Sequence, residues 1–185
     1  LREKEHENTS LGRKIKSLMD NAEFIPDDIM IELLKDRLLK EDVKNGFVLD
    51  GYPRNLTQAE MFDNLLKEIS IIINYVIVLD IEKNILKKRI TGRRICSTCG
   101  KIHNIYFEET KPSVEGICNY CGGSLITRSD DTLEKFEKRY CDYINKTEPI
   151  IYYYEKQGLV HNVDSSKDKN FTFEQTSKIL REEMI

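Results

Sequence analysis

Residues 92–131 read GRRICSTCGKIHNIYFEETKPSVEGICNYCGGSLITRSDD. Two Cys-x-x-Cys pairs, Cys96/Cys99 and Cys118/Cys121, stand eighteen residues apart. That is the spacing of a four-thiolate zinc site built on two knuckles. Each pair ends in a glycine, Gly100 and Gly122, which lets the backbone turn past the second sulfur with no Cβ in the way. A clip of this kind holds together about 35–40 residues that could not bury a core of their own. Two disulfides are the alternative reading, but no secretory segment is visible and the paired spacing argues against four unrelated thiols. Arginines flank the clip, with Arg93 and Arg94 before it and Arg128 after it. The expectation is a small metal-stapled flap with guanidinium groups at its hinges.

Composition bounds the rest. A chain of 185 residues, 39% hydrophobic and 33% charged, fits one soluble globular domain with small insertions. The net charge of −3 disfavours a general nucleic-acid partner. The longest apolar run, Ile71 to Leu79, is far too short to span a membrane. Five of the ten arginines (Arg89, Arg93, Arg94, Arg128 and Arg139) fall around the flap. Arginine presents a planar fork that grips phosphate oxygens in pairs, so this cluster in an acidic protein suggests a compact phosphate ligand. The plainer reading is a solvated face with surface ion pairs. The reduced-thiol chemistry and the lack of a visible targeting segment suggest the cytoplasm.

The pattern alternates helices with strands. Helices are expected over Ser10–Asp20, after Pro26 with Met30, Leu33, Leu34 and Leu38 inward, from a Thr57/Glu60 capping box, and over Glu82–Arg93. Others are expected over Thr132–Lys156, interrupted at Pro149, and from a Thr172/Gln175 capping box to the C-terminus. Gly46–Asp50 and Gly158–Val163 read as strands, and Ile71–Leu79 as a central parallel strand covered on both faces. This implies an α/β fold with a parallel sheet flanked by helices, whose ligands sit beyond the strand C-termini, near Asp50 and Asp80. At one such end, Asp50-Gly51-Tyr52-Pro53-Arg54 makes a stiff turn with Gln58 one helical turn later. Gln58 can offer a base both an acceptor and donors.

Taken together, LREK, LGRKIKSLMD, FIPDD, GFVLDGYPR with Gln58, KKRITGRR, the four-cysteine flap, TRSDD, KRY and VDSSK resemble the adenylate kinases of the bacterial type with a zinc-bearing lid. The resemblance covers essentially the whole sequence. It implies a P-loop nucleoside monophosphate kinase-like fold and reversible phosphoryl transfer from Mg-ATP to AMP, giving two ADP. It divides the chain into an AMP-binding helical segment (1–25), a core (26–91), the lid (92–131) and the rest of the core (132–185). It assigns Arg2, Glu23, Phe24, Ile25, Gly51, Tyr52, Pro53, Arg54 and Gln58 to AMP. Arg54, Arg89, Arg93, Arg128 and Arg139 would close on the phosphates. Of these, Arg89 and Arg93 would face ATP, while Arg128 and Arg139 would reach the AMP side. Ile102, His103 and Lys167 would meet the ATP adenine, Asp50 would order the water shell of Mg2+, and Asp130 and Asp131 would lie at the lid hinge or cap a helix. Zn2+ would be structural. The family is usually monomeric, with ATP, AMP and ADP as partners and no nucleic acid or membrane.

One landmark of that family is not in the sequence. No G-x-x-x-x-G-K-[ST] loop occurs, and the matching region begins just downstream of where the first strand and that loop belong. The expectation is that about 30–35 residues, one βα unit, precede Leu1. A polypeptide beginning at Leu1 would lack the amides and lysine that hold the β- and γ-phosphates, and is expected not to catalyse. Other readings are another nucleoside monophosphate kinase such as a GTP-dependent AMP kinase, a non-catalytic nucleotide-binding module, and a zinc-ribbon nucleic-acid binder.

Overall fold

The computed structural model describes residues 26–182, together with Thr9, Gly12, Arg13, Lys16 and Ser17. The expected first helix and the candidate residues Arg2, Glu23, Phe24 and Ile25 lie outside the described residues, although positions 12–13 and 16–17 are helical. The chain divides into two compact units, 1–73 and 74–185.

In the first unit, α1 (Asp27–Leu38) starts directly after Pro26, with Asp27 and Asp28 in its first turn and Lys35 and Arg37 in its last. Both pairs of charges complement the helix dipole. Its buried positions are Ile29, Leu33 and Leu38, with Met30 and Leu34 only half-buried. A 3-10 turn (Glu41–Asn45) follows, then α2 (Leu56–Glu68). Leu38, Val43, Phe62, Leu65 and Leu66 form one buried cluster, with Tyr52 edge-on to Phe62 at 5.7 Å. Each such side chain contributes about 2 kcal/mol by leaving water. The cap of α2 differs from the expected Thr57. Asn55, two residues earlier, holds it: its Oδ1 accepts the Gln58 amide at 2.8 Å. Gly46–Asp50 is not a strand. The segment makes no ladder, and Val48 is 91% exposed. Its short apolar run needs a neighbouring strand to become structure, and the described residues supply none.

In the second unit, β1 (Val76–Asp80) is followed by α3 (Lys83–Thr91) and three short strands, β2 (Arg93–Cys96), β3 (Ile102–Asn104) and β4 (Leu125–Ile126). These three form an antiparallel sheet in the order β3-β2-β4. Then come α4 (Leu133–Asp142), a π turn (Tyr143–Thr147), α5 (Glu148–Glu155), β5 (Val160–Asp164) and α6 (Lys169–Glu182). β1 and β5 pair in parallel from Val76 opposite Val160 to Asp80 opposite Asp164. The strand expected over Ile71–Leu79 is therefore shorter, and it is not covered on both faces: β1 is half-buried at best, with Leu79 57% exposed. The π turn sits immediately ahead of Pro149, whose ring cannot donate to the preceding turn, so the helical run is disturbed without being broken. α6 begins before the expected Thr172. Asp168 Oδ1 accepts the amides of Asn170 and Phe171 at 2.7 and 3.0 Å. Gln175 turns away to bond the backbone of Asp164. No helix among the described residues is long and apolar enough to cross a membrane.

Candidate metal centre and arginine cluster

The two knuckles are near copies. The Gly100 amide bonds the Cys96 carbonyl and the Gly122 amide bonds the Cys118 carbonyl, both at 3.0 Å. Both glycines have positive φ, 70° and 72°, which a side chain would resist. All four sulfurs lie within 4.8 Å of one another. Cys96 Sγ is 3.4 Å from Cys121 Sγ, and Cys99 Sγ is 3.7 Å from Cys118 Sγ. A tetrahedral ion with metal–sulfur bonds of about 2.3 Å sets its sulfurs about 3.8 Å apart, so the set fits one. No cysteine is in a disulfide. The site is lopsided: Cys96 and Cys118 are buried, Cys99 and Cys121 exposed. Burial works against a Cys118 thiolate, yet the Tyr120 amide, the His103 ring and the Cys121 amide bring its pKa down to about 6. A thiolate already favoured at neutral pH suits metal binding.

The arginines gather where the flap joins the unit. Arg93, at the start of β2, forks onto Asp131, with Nε donating to Oδ2 at 2.8 Å and Nη2 to Oδ1 at 2.5 Å. The Asp131 side chain is fully buried. The hydrogen bonds from Arg93 hold its carboxyl below the usual 3.8, and the charges of Arg128 and Arg139 lower it further. Arg139 Nη2 donates to the Asp130 carbonyl at 2.9 Å, with its Nη1 3.9 Å from the Asp130 carboxylate. Arg128 is exposed beside them. Neither aspartate caps α4: Thr132 does, accepting the Lys135 amide at 3.3 Å. Arg93, Arg128 and Arg139 are therefore neighbours around Asp131.

Other candidates are placed differently. Arg89 donates to the carbonyls of Ser165 and Ser166 at 2.7 and 3.1 Å, and to that of Lys167, so it ties down the loop leaving β5. Lys167 Nζ lies over the Phe171 ring at 4.3 Å. Ile102 is 59% exposed on the flap, whereas His103 is 2% exposed and turned inward. Of the two neighbours expected near the ATP adenine, only Ile102 presents its side chain to solvent. The cause is strand alternation: neighbours on β3 point to opposite faces.

In the first unit, the Asp50–Arg54 turn has Gly51 at φ 76° and a cis Tyr52–Pro53 bond. Arg54 Nε bonds the Gly51 carbonyl at 2.7 Å. Gln58 closes the turn: its Oε1 accepts the Arg54 amide at 2.8 Å and its Nε2 donates to Asp27 Oδ1 at 2.7 Å. Burial, helped by the charge of Asp27, pushes the Tyr52 hydroxyl up to about 12. Asp50 is exposed.

Two residues escaped the sequence reading. Asn104 is buried, donates to the Lys88 and Arg89 carbonyls at 3.2 and 2.9 Å, and accepts the Tyr106 amide at 2.9 Å. It thereby caps the end of α3 from within the flap. Gly92 leaves room for it: a Cβ there would meet Asn104 Oδ1 at 2.4 Å and the Lys88 carbonyl at 2.7 Å. A glycine at a helix end was the visible signal for the second; nothing local marked the first.

Fold and site define an α/β protein with a parallel strand pair, flanking helices and a thiolate-stapled, arginine-bearing flap. A family model described as Adenylate kinase matches residues 1–159. The chain is 41% identical over 172 residues to the adenylate kinase of Clostridium tetani, covering 93% of this chain and 79% of that protein. It is 43% identical over 174 residues to the adenylate kinase of Caldanaerobacter subterraneus subsp. tengcongensis, covering 94% and 78%. With the adenylate kinase of Listeria monocytogenes serotype 4a it shares 42% identity over 174 residues, covering 94% and 80%. The chain belongs to the adenylate kinase family, and so to the phosphotransferase enzymes.

Proposed function

We propose that this protein transfers the γ-phosphoryl group of Mg-ATP to AMP, reversibly, giving two ADP. The observation that carries the reading beyond family membership is the convergence of Arg93, Arg128 and Arg139 on the Asp130–Asp131 corner, at the root of the stapled flap. Phosphoryl transfer asks a protein mainly for positioning, charge neutralisation and exclusion of water. Three guanidinium groups held at a flap root are suited to the second task, and a flap that closes is suited to the third. In the resting arrangement Asp131 occupies the Arg93 fork, and a nucleotide phosphate would compete for it.

Gln58 and the Gly51–Arg54 turn form the AMP side in this reading, with Arg2, Glu23, Phe24 and Ile25. Gln58 would exchange its bond to Asp27 for one to the base. Arg89 would act on ATP through the loop it holds, bringing Lys167 to the adenine alongside Ile102. Magnesium, when bound with ATP, would neutralise phosphate charge, with Asp50 ordering its waters. Zinc in the flap would be structural, because four thiolates leave no open coordination position. The protein would work as a monomer in the cytoplasm.

The test is ADP formation by the protein expressed from its natural coding sequence. ATP is paired with AMP, CMP, UMP and GMP, and GTP is tried as donor. The expected result is magnesium-dependent transfer to AMP from ATP, with Arg139→Ala lowering kcat roughly 100-fold. No transfer with any pair, accompanied by salt-dependent RNA binding, would reverse the reading.

A further inference from the structure

The family reading gives His103 a contact with the ATP adenine, which does not account for its burial: among the described residues it is one of the most completely buried side chains. Its Nε2 lies 3.4 Å from Cys118 Sγ, and its Nδ1 lies 3.2 Å from the Thr110 carbonyl. Its ring sits 5.6 Å from that of Tyr120, which is itself inside the second knuckle. The imidazole is thus held on three sides, with one nitrogen aimed at one sulfur. Metal-bound thiolates are strong acceptors, and groups that donate to metal ligands fix their orientation and the affinity of the site. The arrangement is one-sided: Cys96 and Cys118 are both buried, but among the described residues only Cys118 receives a side-chain donor from outside the thiol set.

We propose that His103 is the positioning residue of the flap's metal centre, donating from Nε2 to the Cys118 thiolate and so holding the second knuckle closed on the ion. It is not a ligand; it acts through Cys118. The Thr110 carbonyl and a thiolate both only accept, so holding both at once takes an N–H on each ring nitrogen; the role needs the one on Nε2 and nothing of the phosphoryl-transfer reaction. It does rest on the four thiolates binding a metal, and metal stoichiometry of the unaltered protein reads that separately.

The experiment uses the whole protein loaded with zinc, and in parallel with cobalt(II), as His103→Leu and His103→Gln. Leucine keeps much of the volume without a donor, while glutamine can return an N–H to the same place. The expected outcome is that His103→Leu gives up zinc to a chromogenic chelator roughly tenfold faster or more. Its cobalt–thiolate charge-transfer band should also move to longer wavelength, because a sulfur lone pair without its donor is easier to ionise. His103→Gln should restore both. Equal losses in the two variants would reduce His103 to packing and overturn the proposal, as would unchanged release and spectrum in both. A cobalt band with three-thiolate intensity in the unaltered protein, rising to four in His103→Gln, would make His103 a ligand and also overturn it. Should His103→Leu fail to take up metal, His103→Phe supplies the donor-free comparison. One equivalent of zinc in the unaltered protein with no difference among variants would sink this role and leave the metal centre standing.

Discussion

The flap and the Asp50–Gln58 turn are both built from short stretches of backbone, yet they are held in opposite ways. In the flap, four sulfurs meet across two knuckles, and side chains then fasten the product to its neighbours: Arg93 to Asp131, Asn104 to the end of α3. In the turn, the Gln58 amide and the Arg54 guanidinium close the backbone, and the hydrophobic cluster lies beneath α2. The first arrangement offers a metal ion four sulfurs to bind, and the second rests on burial. That contrast predicts which perturbation each region will feel.

Metal removal is the sharpest way to break the comparison. Binding free energy of about 10 kcal/mol or more at a structural thiolate site is also folding free energy. Chelation, or Cys118→Ser, should therefore strip hydrogen-exchange protection from residues 93–126 by several orders of magnitude. Amides of α2 should exchange at their former rates. If α2 loosened equally, the two regions would share one cohesion and the contrast would fail.

Next in size is Asp131→Asn. The fully buried carboxylate is removed, and the Arg93 guanidinium, 27% exposed, loses its charged partner. The cost should be about 3 kcal/mol, at the low end for such a loss because Arg93 can reach water. Because the Asp131 pKa is lowered in the folded protein, its stabilisation is present above the unfolded value near 3.8 and is lost as pH falls through the folded one. The Tm difference between the unaltered protein and Asp131→Asn should accordingly be full at neutral pH and shrink below about pH 4. A gap that persisted in acid would assign the effect to packing.

Gly92→Ala asks whether the flap root is as tightly fitted as the knuckles. The new Cβ would strike backbone at Lys88 as well as Asn104 and Tyr106. A cost of about 2 kcal/mol is expected, read as a lowered Tm with zinc stoichiometry unchanged.

What could be read in advance follows the same division. The meeting of the four cysteines was legible because they and the turn glycines recur at fixed short spacing, and the spacing alone constrains the geometry. The inward turn of His103 was not, because the side on which it falls depends on the register of β3 against β2, where His103 faces Arg94. The helices α1 and α2 were visible in their apolar periodicity. Gly46–Asp50 differs from its expected strand because a short apolar run states only a preference, and a ladder needs a partner that local sequence does not contain. The Arg93–Asp131 pair joins positions 38 residues apart, so clustering in the sequence hinted at it without fixing who meets whom.

The smallest effect bears on the start of α2, where two sequence patterns compete. Thr57 and Glu60 make the more familiar capping box, but Asn55 holds the cap. Removing its Oδ1 leaves the Gln58 amide without its acceptor, at about 1 kcal/mol. Asn55→Ala should therefore speed exchange of the first α2 amides about fivefold. Thr57→Ala should stay within about 0.5 kcal/mol of the unaltered protein. Gln58 also bridges Arg54 and Asp27 through its side chain. Loss of the cap should thus loosen the Asp50–Arg54 turn, and in the proposed reaction raise KM for AMP more than for ATP. A larger response from Thr57 would move the helix start inward and detach Gln58 from the turn. The turn would then be held by the Arg54–Gly51 bond and the hydrophobic cluster, and the contrast with the flap would become wider still.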